Sequence, residues 1–570
     1  MGKSSRALAL GAVVVLCVSA CTGNSGTDAA TTSTAASSAQ AGSSAPASGT
    51  APSSGSANAE PGGLDPTYVD GKLASVPGLP QAALDVIDDP LYKNGQWAIA
   101  VRDIDTGEQL VALNADTFFE PGSVVKTYST GAAWLELGPD STVTTPVKRT
   151  GEIVNGTLNG DLILVGKGDV TMGGRTKADG TVDFANLDHN DANGIPGATL
   201  TPEDPLTGLN DLAAQVKASG ITSVSGNVIV DDRLWDPHKL AGNVVSPIQI
   251  NQNVIDFTTT PTTPGQLATT VMSPKVSPWE VSGEVQTVAA GAGIDIEVDS
   301  PEAGKVVLSG TIGADYGPAV NVYLLPDPAT YARTAFIEAL GRAGVTVTAD
   351  PIATNPASAL PAKADVDGLT AVAELTSLPL SEEATYINKI SYNNGGETML
   401  CRLAVANGTT DCRAGPGRAG DIWRAAGLDT TTATIVDGSG LTGNVITPNN
   451  QVDLQTIMAN RPDAEAWKAT LPILGVDGSL TTVQANGPAA GKVVGKTGTL
   501  VGGDPFNSNP DGSPRFRISV KALGGDMVTE SGRNLAFAVF SSNSFAPTVE
   551  GVFAANDDVG AIVAAIQQSY

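Results

Sequence analysis

The chain has 570 residues, and 59 acidic against 32 basic residues leave a formal net charge of −27. That balance argues against nucleic acid and anionic membrane surfaces as partners, while a 41% share of hydrophobic residues argues against a disordered acidic protein. Two histidines, His189 and His238, and four cysteines leave little material for a Ser-His-Asp triad, a multi-histidine metal site or a cysteine-rich cluster. No metal and no cofactor is expected.

Lys3 and Arg6 precede an apolar run, Ala7 to Val18, which ends in Val18-Ser19-Ala20-Cys21. A basic start, a short apolar core and small residues before a cut site describe an export signal over residues 1–20. The run is too short to span a bilayer comfortably. A cysteine directly after small residues resembles a bacterial lipobox, so Cys21 is the expected lipidation site and new N-terminus. Residues 21–65 are mostly Ser, Ala, Thr and Gly and read as a flexible tether. Its low-complexity part gives a typical end-to-end distance of roughly 35 Å. The expected location is the cell envelope, on the outer face of the cytoplasmic membrane. Processing leaves Cys401 and Cys412, an even pair in an oxidising compartment, which favours a disulfide.

Next in order, Gln96 to Val101 and Gln109 to Leu113 read as strands around an Asp105-Thr106-Gly107 turn. A helix is expected from Ser123 to about Leu137. From about 141 to 370 short β-like runs dominate: Gly160 to Val165, Ser225 to Val230, Ile294 to Val298, Lys305 to Leu308 and Ala319 to Leu324. One helix interrupts them, with Asp327 as N-cap and Pro328 behind it. From 371 helices return, one starting near Ser381 and one over Thr398 to Ala406. Three strands follow, Gly491 to Leu500, Arg515 to Ala522 and Asn534 to Phe540, and then a helix over Val549 to Gln568.

Three short motifs carry chemistry. Ser123-Val124-Val125-Lys126 puts a hydroxyl and an amine one turn apart on one helix face. A desolvated Lys there takes the Ser proton; the plainer reading is a cap Ser and a surface Lys. Ser391-Tyr392-Asn393 falls between two expected helices, where it serves either as proton shuttle and amide grip or as ordinary capping. Lys496-Thr497-Gly498-Thr499 lies on an expected strand, where the Lys and both hydroxyls suit a carboxylate and Gly498 admits a ligand to the strand edge. A phosphate loop is excluded, because its first glycine falls on Ala490.

Taken in order, Ser-x-x-Lys, Ser-x-Asn and Lys-Thr-Gly form the signature set of penicillin-binding proteins and class A β-lactamases. With 265 positions between Lys126 and Ser391, the chain resembles the penicillin-binding protein 4 family of D-alanyl-D-alanine carboxypeptidases and endopeptidases, peptidase family S13. Leu164-Val165-Gly166-Lys167-Gly168-Asp169, Asp231-Asp232, Asp437-Gly438-Ser439-Gly440-Leu441, Leu471-Pro472 and Gly475-Val476-Asp477-Gly478 look similar too. The resemblance implies an α+β fold: a transpeptidase-like domain, an antiparallel sheet flanked by helices, split by a large β-rich insertion. Its parts would be 66–140 and 371–570, with 141–370 inserted.

The resemblance also implies roles. Ser123 resembles the acylated nucleophile, Lys126 its base and Ser391 the proton relay. Asn393 looks like the holder of the substrate amide, and Lys496, Thr497, Gly498 and Thr499 like the carboxylate site. Tyr392 stands where the family usually has Asp, which bears on local polarity and substrate preference. Asp437 and its glycine-rich turn read as structural. The implied activity is serine D,D-peptidase action on peptidoglycan stem peptides, with β-lactams as acylating inhibitors. The membrane enters only through the lipid anchor. A β-lactam hydrolase and a non-catalytic cell-wall binding lipoprotein are the alternatives.

Overall fold

The computed structural model describes residues 64–570 apart from 70, 71, 195, 196 and 278. The export signal, Cys21 and nearly all of the tether lie outside the described residues. A five-stranded antiparallel sheet is built from both ends of the chain. Its order is Val493–Ser508, Pro514–Val528, Asn534–Ala546, Gln96–Asp103, Gln109–Leu113.

Both faces of this sheet are covered, so two of its central strands are apolar at every position over their middle stretches, Trp97–Val101 and Leu535–Phe540, rather than alternately. Successive side chains still go to opposite faces. Ile99, Val101, Leu535, Phe537 and Val539 pack with Ile562, Val563 and Ile566 of the C-terminal helix Val549–Ser569. Ala98, Ala100, Ala536 and Ala538 face the other way, towards the helices Lys126–Leu137 and Pro448–Ala459. Alanines on that face let the helix Pro448–Ala459 lie close to the sheet. Trp134 and Trp467 close the far side edge to face, with ring centroids 5.5 Å apart.

The chain leaves this unit through Thr144–Arg149 and returns through Thr370–Thr376, and these two strands pair antiparallel. Between them lie four-stranded and three-stranded sheets around one apolar cluster. The α+β expectation holds. The inserted stretch carries more helix than its sequence suggested. Besides Pro328–Arg342 it holds Thr207–Ala218, whose Leu209, Leu212, Ala213 and Val216 are buried at helical spacing. The helices Gln81–Ile87, Gly415–Ala425 and Pro448–Ala459 were also not expected.

Two boundaries differ where it matters. Ser123 lies in a single 3-10 turn, Gly122–Val125, and the α-helix starts at Lys126. The helix expected from Thr398 begins at Asn393. Cys401 and Cys412 form a disulfide between that helix and the next turn. Their sequence separation is 11. Loop-closure entropy puts a bridge of this span at about 3 kcal/mol. Replacing both cysteines by serine should therefore lower the guanidinium midpoint of unfolding. An unchanged midpoint would refute the stabilising role.

Candidate active site

The site forms where the Gly122–Val125 turn meets the edge strand Val493–Ser508. Their backbones touch. A Cβ at Gly498 would lie 2.1 Å from the Pro121 carbonyl oxygen, and a Cβ at Gly122 (φ +54°) would lie 2.8 Å from Thr499 N. Only glycine fits at either place. The contact sets the Ser123 turn directly against the Lys496–Thr499 stretch. In a 3-10 turn side chains three apart eclipse, and Lys126 Nζ reaches Ser123 Oγ at 2.8 Å.

The Lys126 amine is fully buried and has two more oxygen partners, Asn393 Oδ1 at 2.7 Å and the Ser439 carbonyl at 2.9 Å. Those two can only accept. As an ammonium, Lys126 donates to all three oxygens. As a neutral amine it keeps both acceptors and turns its lone pair to the Ser123 hydroxyl. The proton can thus pass from Ser123 to Lys126 with no heavy atom moving.

Ser391 ends the helix Leu380–Ile390 in a left-handed conformation, φ 61° and ψ 40°. For a residue with a Cβ that costs about 1 kcal/mol, and it lets the next helix start at once with Asn393. The two polar side chains then point into one site. Ser391 Oγ accepts from Lys496 Nζ at 3.0 Å, while Asn393 meets Lys126. Tyr392 turns the other way. Its hydroxyl donates to Gln249 Oε1 of the inserted unit at 2.8 Å, and its ring lies 5.6 Å from that of Tyr386. The tyrosine therefore packs between the units and leaves the cleft's polarity to its neighbours.

Lys496 is fully buried and donates to Ser391 Oγ and to the Thr497 carbonyl. Burial and the nearby Lys126 charge hold its amine well below the usual lysine range. Thr497 Oγ1 shares a hydrogen bond of 2.7 Å with Ser479 Oγ. Thr499 Oγ1 accepts from Lys521 Nζ on the adjacent strand at 3.3 Å, and Lys521 also donates to Asn556 Oδ1 of the C-terminal helix at 2.7 Å.

Ser123, Lys126, Ser391, Asn393 and Lys496 thus join in two hydrogen-bonded sets, with Thr497, Gly498 and Thr499 along the strand edge beside them. The disulfide stands apart from both sets. Motif reading missed the Ser439 carbonyl, Ser479, Lys521 and Asn556. Asp437 is structural in the way its turn suggested. Its Oδ1 accepts from the backbone N–H groups of Ser439, Gly440 and Leu441, and its Oδ2 from Asn444 Nδ2. That turn presents the Ser439 carbonyl to Lys126. Gly440 (φ +90°) permits it, since a Cβ there would lie 1.8 Å from the Gly122 carbonyl oxygen.

The model of the D-Ala-D-Ala carboxypeptidase 3 (S13) family matches residues 81–558. A D-alanyl-D-alanine carboxypeptidase of Actinomadura sp. (strain R39) is 28% identical over 494 residues, 80% of this chain and 83% of the relative. The carboxypeptidase DacB of Mycolicibacterium smegmatis is 25% identical over 461 residues, 78% of this chain and 76% of the relative. Among solved structures, penicillin binding protein 4 (dacB) of Haemophilus influenzae superposes with a TM-score of 0.63 at 18% identity, covering 83% of this chain and 97% of that one. That match establishes a shared fold.

Burial pulls the Lys521 amine from 10.5 down to about 7. A lysine whose folded pKa is depressed destabilises the fold wherever the unfolded chain holds its proton more tightly. The penalty is complete below the folded value, shrinks as pH rises from there, and is gone above the unfolded value. Lys521→Met should therefore raise the thermal midpoint most at about pH 6 and least near pH 10. Parallel midpoint-versus-pH curves for variant and wild type would refute this.

Proposed function

The chain belongs to the D-Ala-D-Ala carboxypeptidase 3 (S13) family, and on that premise we propose how its residues act. It is a serine-type D,D-peptidase of peptidoglycan and a penicillin-binding protein. The observation that carries the residue roles is the Lys126 amine set between Ser123 Oγ, Asn393 Oδ1 and the Ser439 carbonyl.

Ser123 Oγ attacks the carbonyl of the penultimate D-Ala, and its proton passes to Lys126 Nζ. The backbone N–H groups of Ser123 and Thr499 face the oxyanion. The C–N bond then breaks. The departing amine of the terminal D-Ala takes a proton from Ser391, which the proton held by Lys126 replaces. Water attacks the acyl-serine ester and gives a proton to Lys126, which passes one on to Ser123 Oγ as the ester bond breaks; the shortened peptide leaves, and the Ser123 hydroxyl and the neutral Lys126 amine are restored. Asn393 grips the substrate amide. The substrate's terminal carboxylate binds at Lys496 with Thr497 and Thr499, and its negative charge favours the ammonium that burial alone disfavours. A β-lactam acylates the same serine.

Ser123→Ala tests this directly. The wild type should bind a fluorescent penicillin covalently and release D-Ala from a pentapeptide ending in D-Ala-D-Ala, and the variant should do neither. A labelled variant would move the nucleophile elsewhere. Rapid loss of label from the wild type would turn the reading towards β-lactam hydrolysis, and labelling without D-Ala release towards a binding role.

We further propose that the protein is exported by residues 1–20 and held at the membrane by a lipid on Cys21. The support is the order of Lys3 and Arg6, the apolar run and Ser19-Ala20-Cys21. Among the described residues no helix is long and apolar enough to cross a membrane. Mass spectrometry of the mature N-terminus should find a lipidated Cys21, and an unmodified Cys21 or another start would overturn it.

A further inference from the structure

We propose that Glu397 and His238 form a positioning pair for the Lys126 amine, through which the inserted unit keeps the base aligned with Ser123. Glu397 lies one turn beyond Asn393 on the helix Asn393–Ala406 and is buried. Its Oε2 accepts from the backbone N–H of Gly438 at 2.7 Å. Gly438 precedes Ser439, whose carbonyl holds Lys126 at 2.9 Å. The Gly438 carbonyl accepts from Ser129 Oγ at 2.7 Å, on the helix that carries Lys126. Backbone meets backbone beside it, since a Cβ at Gly396 would lie 2.4 Å from the Gly438 oxygen. A shift of the Gly438 turn would therefore pass directly to the amine.

Glu397 carries the link on into the inserted unit. Its Oε1 lies 3.2 Å from Nε2 of His238. That histidine opens a small hairpin, His238–Leu240 with Asn243–Val245. The hairpin leans on the same helix, with the Val244 carbonyl accepting from Asn394 Nδ2 at 3.3 Å. Behind it sits the disulfide. A ring nitrogen of His238 and both sulfurs lie within 4.8 Å of one another. The sulfurs are joined, so the trio offers no thiolates to a metal and serves as backing for the imidazole.

The groups that face His238 are the Glu397 carboxylate, the backbone of Asp236 and the Asp411 carboxylate, the last paired with Arg413. The Glu397 hydrogen bond leads in raising the imidazole's pKa above its ordinary value. The ion pair is intact below that raised pKa. As pH climbs through it, the pair weakens to a neutral hydrogen bond.

Neither residue touches the reacting groups, and the inference rests on Lys126 being the base. The test compares acylation of Glu397→Ala, His238→Ala, the double variant and His238→Gln by a fluorescent penicillin, separating the acylation rate from the binding constant. Glu397→Ala should slow acylation by about 10–100-fold with little change in binding. His238→Ala should slow it in the same sense but less. In a series relay the double variant is no slower than Glu397→Ala alone. His238→Gln, whose amide replaces Nε2–H, should recover most of the rate and lose the wild-type inflection where the histidine titrates.

Folded single variants with wild-type acylation rates would overturn the pair, and so would additive losses or losses confined to binding. Should Glu397→Ala fail to fold, His238→Ala decides, because its side chain is partly exposed. A labelled Ser123→Ala would instead bring down the site assignment itself.

Discussion

A buried amine held by three oxygens is the constraint on which the rest of the structure depends. Burying a lysine without partners costs several kcal/mol, and Lys126 is fully buried. Its oxygens come from residues 123, 393 and 439, far apart along the chain. Each is delivered by a separate local device. A 3-10 turn brings Ser123, a left-handed residue at Ser391 frees the helix that starts with Asn393, and the Asp437 side chain folds the turn that shows the Ser439 carbonyl. A misplacement of about 1 Å in such a set is enough to lower a rate a hundredfold. The many backbone-to-backbone contacts around it are the means of avoiding that.

Those devices differ in how visible they are in the sequence. The grouping of Ser123, Lys126, Ser391, Asn393 and Lys496 was legible because their order along the chain repeats a known set of motifs. The Ser439 carbonyl was not, since every residue has one and only the Asp437 turn selects it. The start of the Asn393 helix was misplaced for a related reason. Asn393-Asn394-Gly395-Gly396 has low helix propensity, yet a Cβ at Gly395 would lie 2.6 Å from Ile387 Cγ1, and one at Gly396 would meet the Gly438 oxygen. Close packing required glycines and overrode propensity. Lys521 read as an ordinary strand residue. Only the register that sets it opposite Thr499 reveals its partner.

The net charge of −27 says little about this site, which concentrates cations. Lys126, Lys496 and Lys521 are all buried within a few strands and turns of one another. Two of them are shifted towards the neutral form, by burial in both cases and by Lys126 in the case of Lys496. Such an arrangement costs stability in the free protein and favours whatever brings a negative charge. Under the roles proposed above, that charge is the carboxylate end of a D-Ala-D-Ala peptide or the carboxylate of a penicillin. The scarcity of histidine points the same way. The proposed pairing of a Ser123 nucleophile with a Lys126 base needs no imidazole, and His189 is spent on a buried contact with Asp256 in the inserted unit.

The inserted unit separates Lys126 from Ser391 in sequence but binds their surroundings in space. Gln249 takes the Tyr392 hydroxyl, the Val244 carbonyl takes the Asn394 amide, and His238 takes Glu397. Tyr392, Asn394 and Glu397 all fall within six residues of Ser391, on the segment that aims Ser391 and Asn393. The five-stranded sheet fixes Lys496 from one side. The left-handed turn at Ser391, with a helix on either side, has no comparable strand ladder to hold it, and a conformation that costs about 1 kcal/mol persists only where its surroundings over-determine it. Contacts from the insertion supply that support. This accounts for a long excursion of chain placed between two motifs that must end within hydrogen-bonding distance of the same amine.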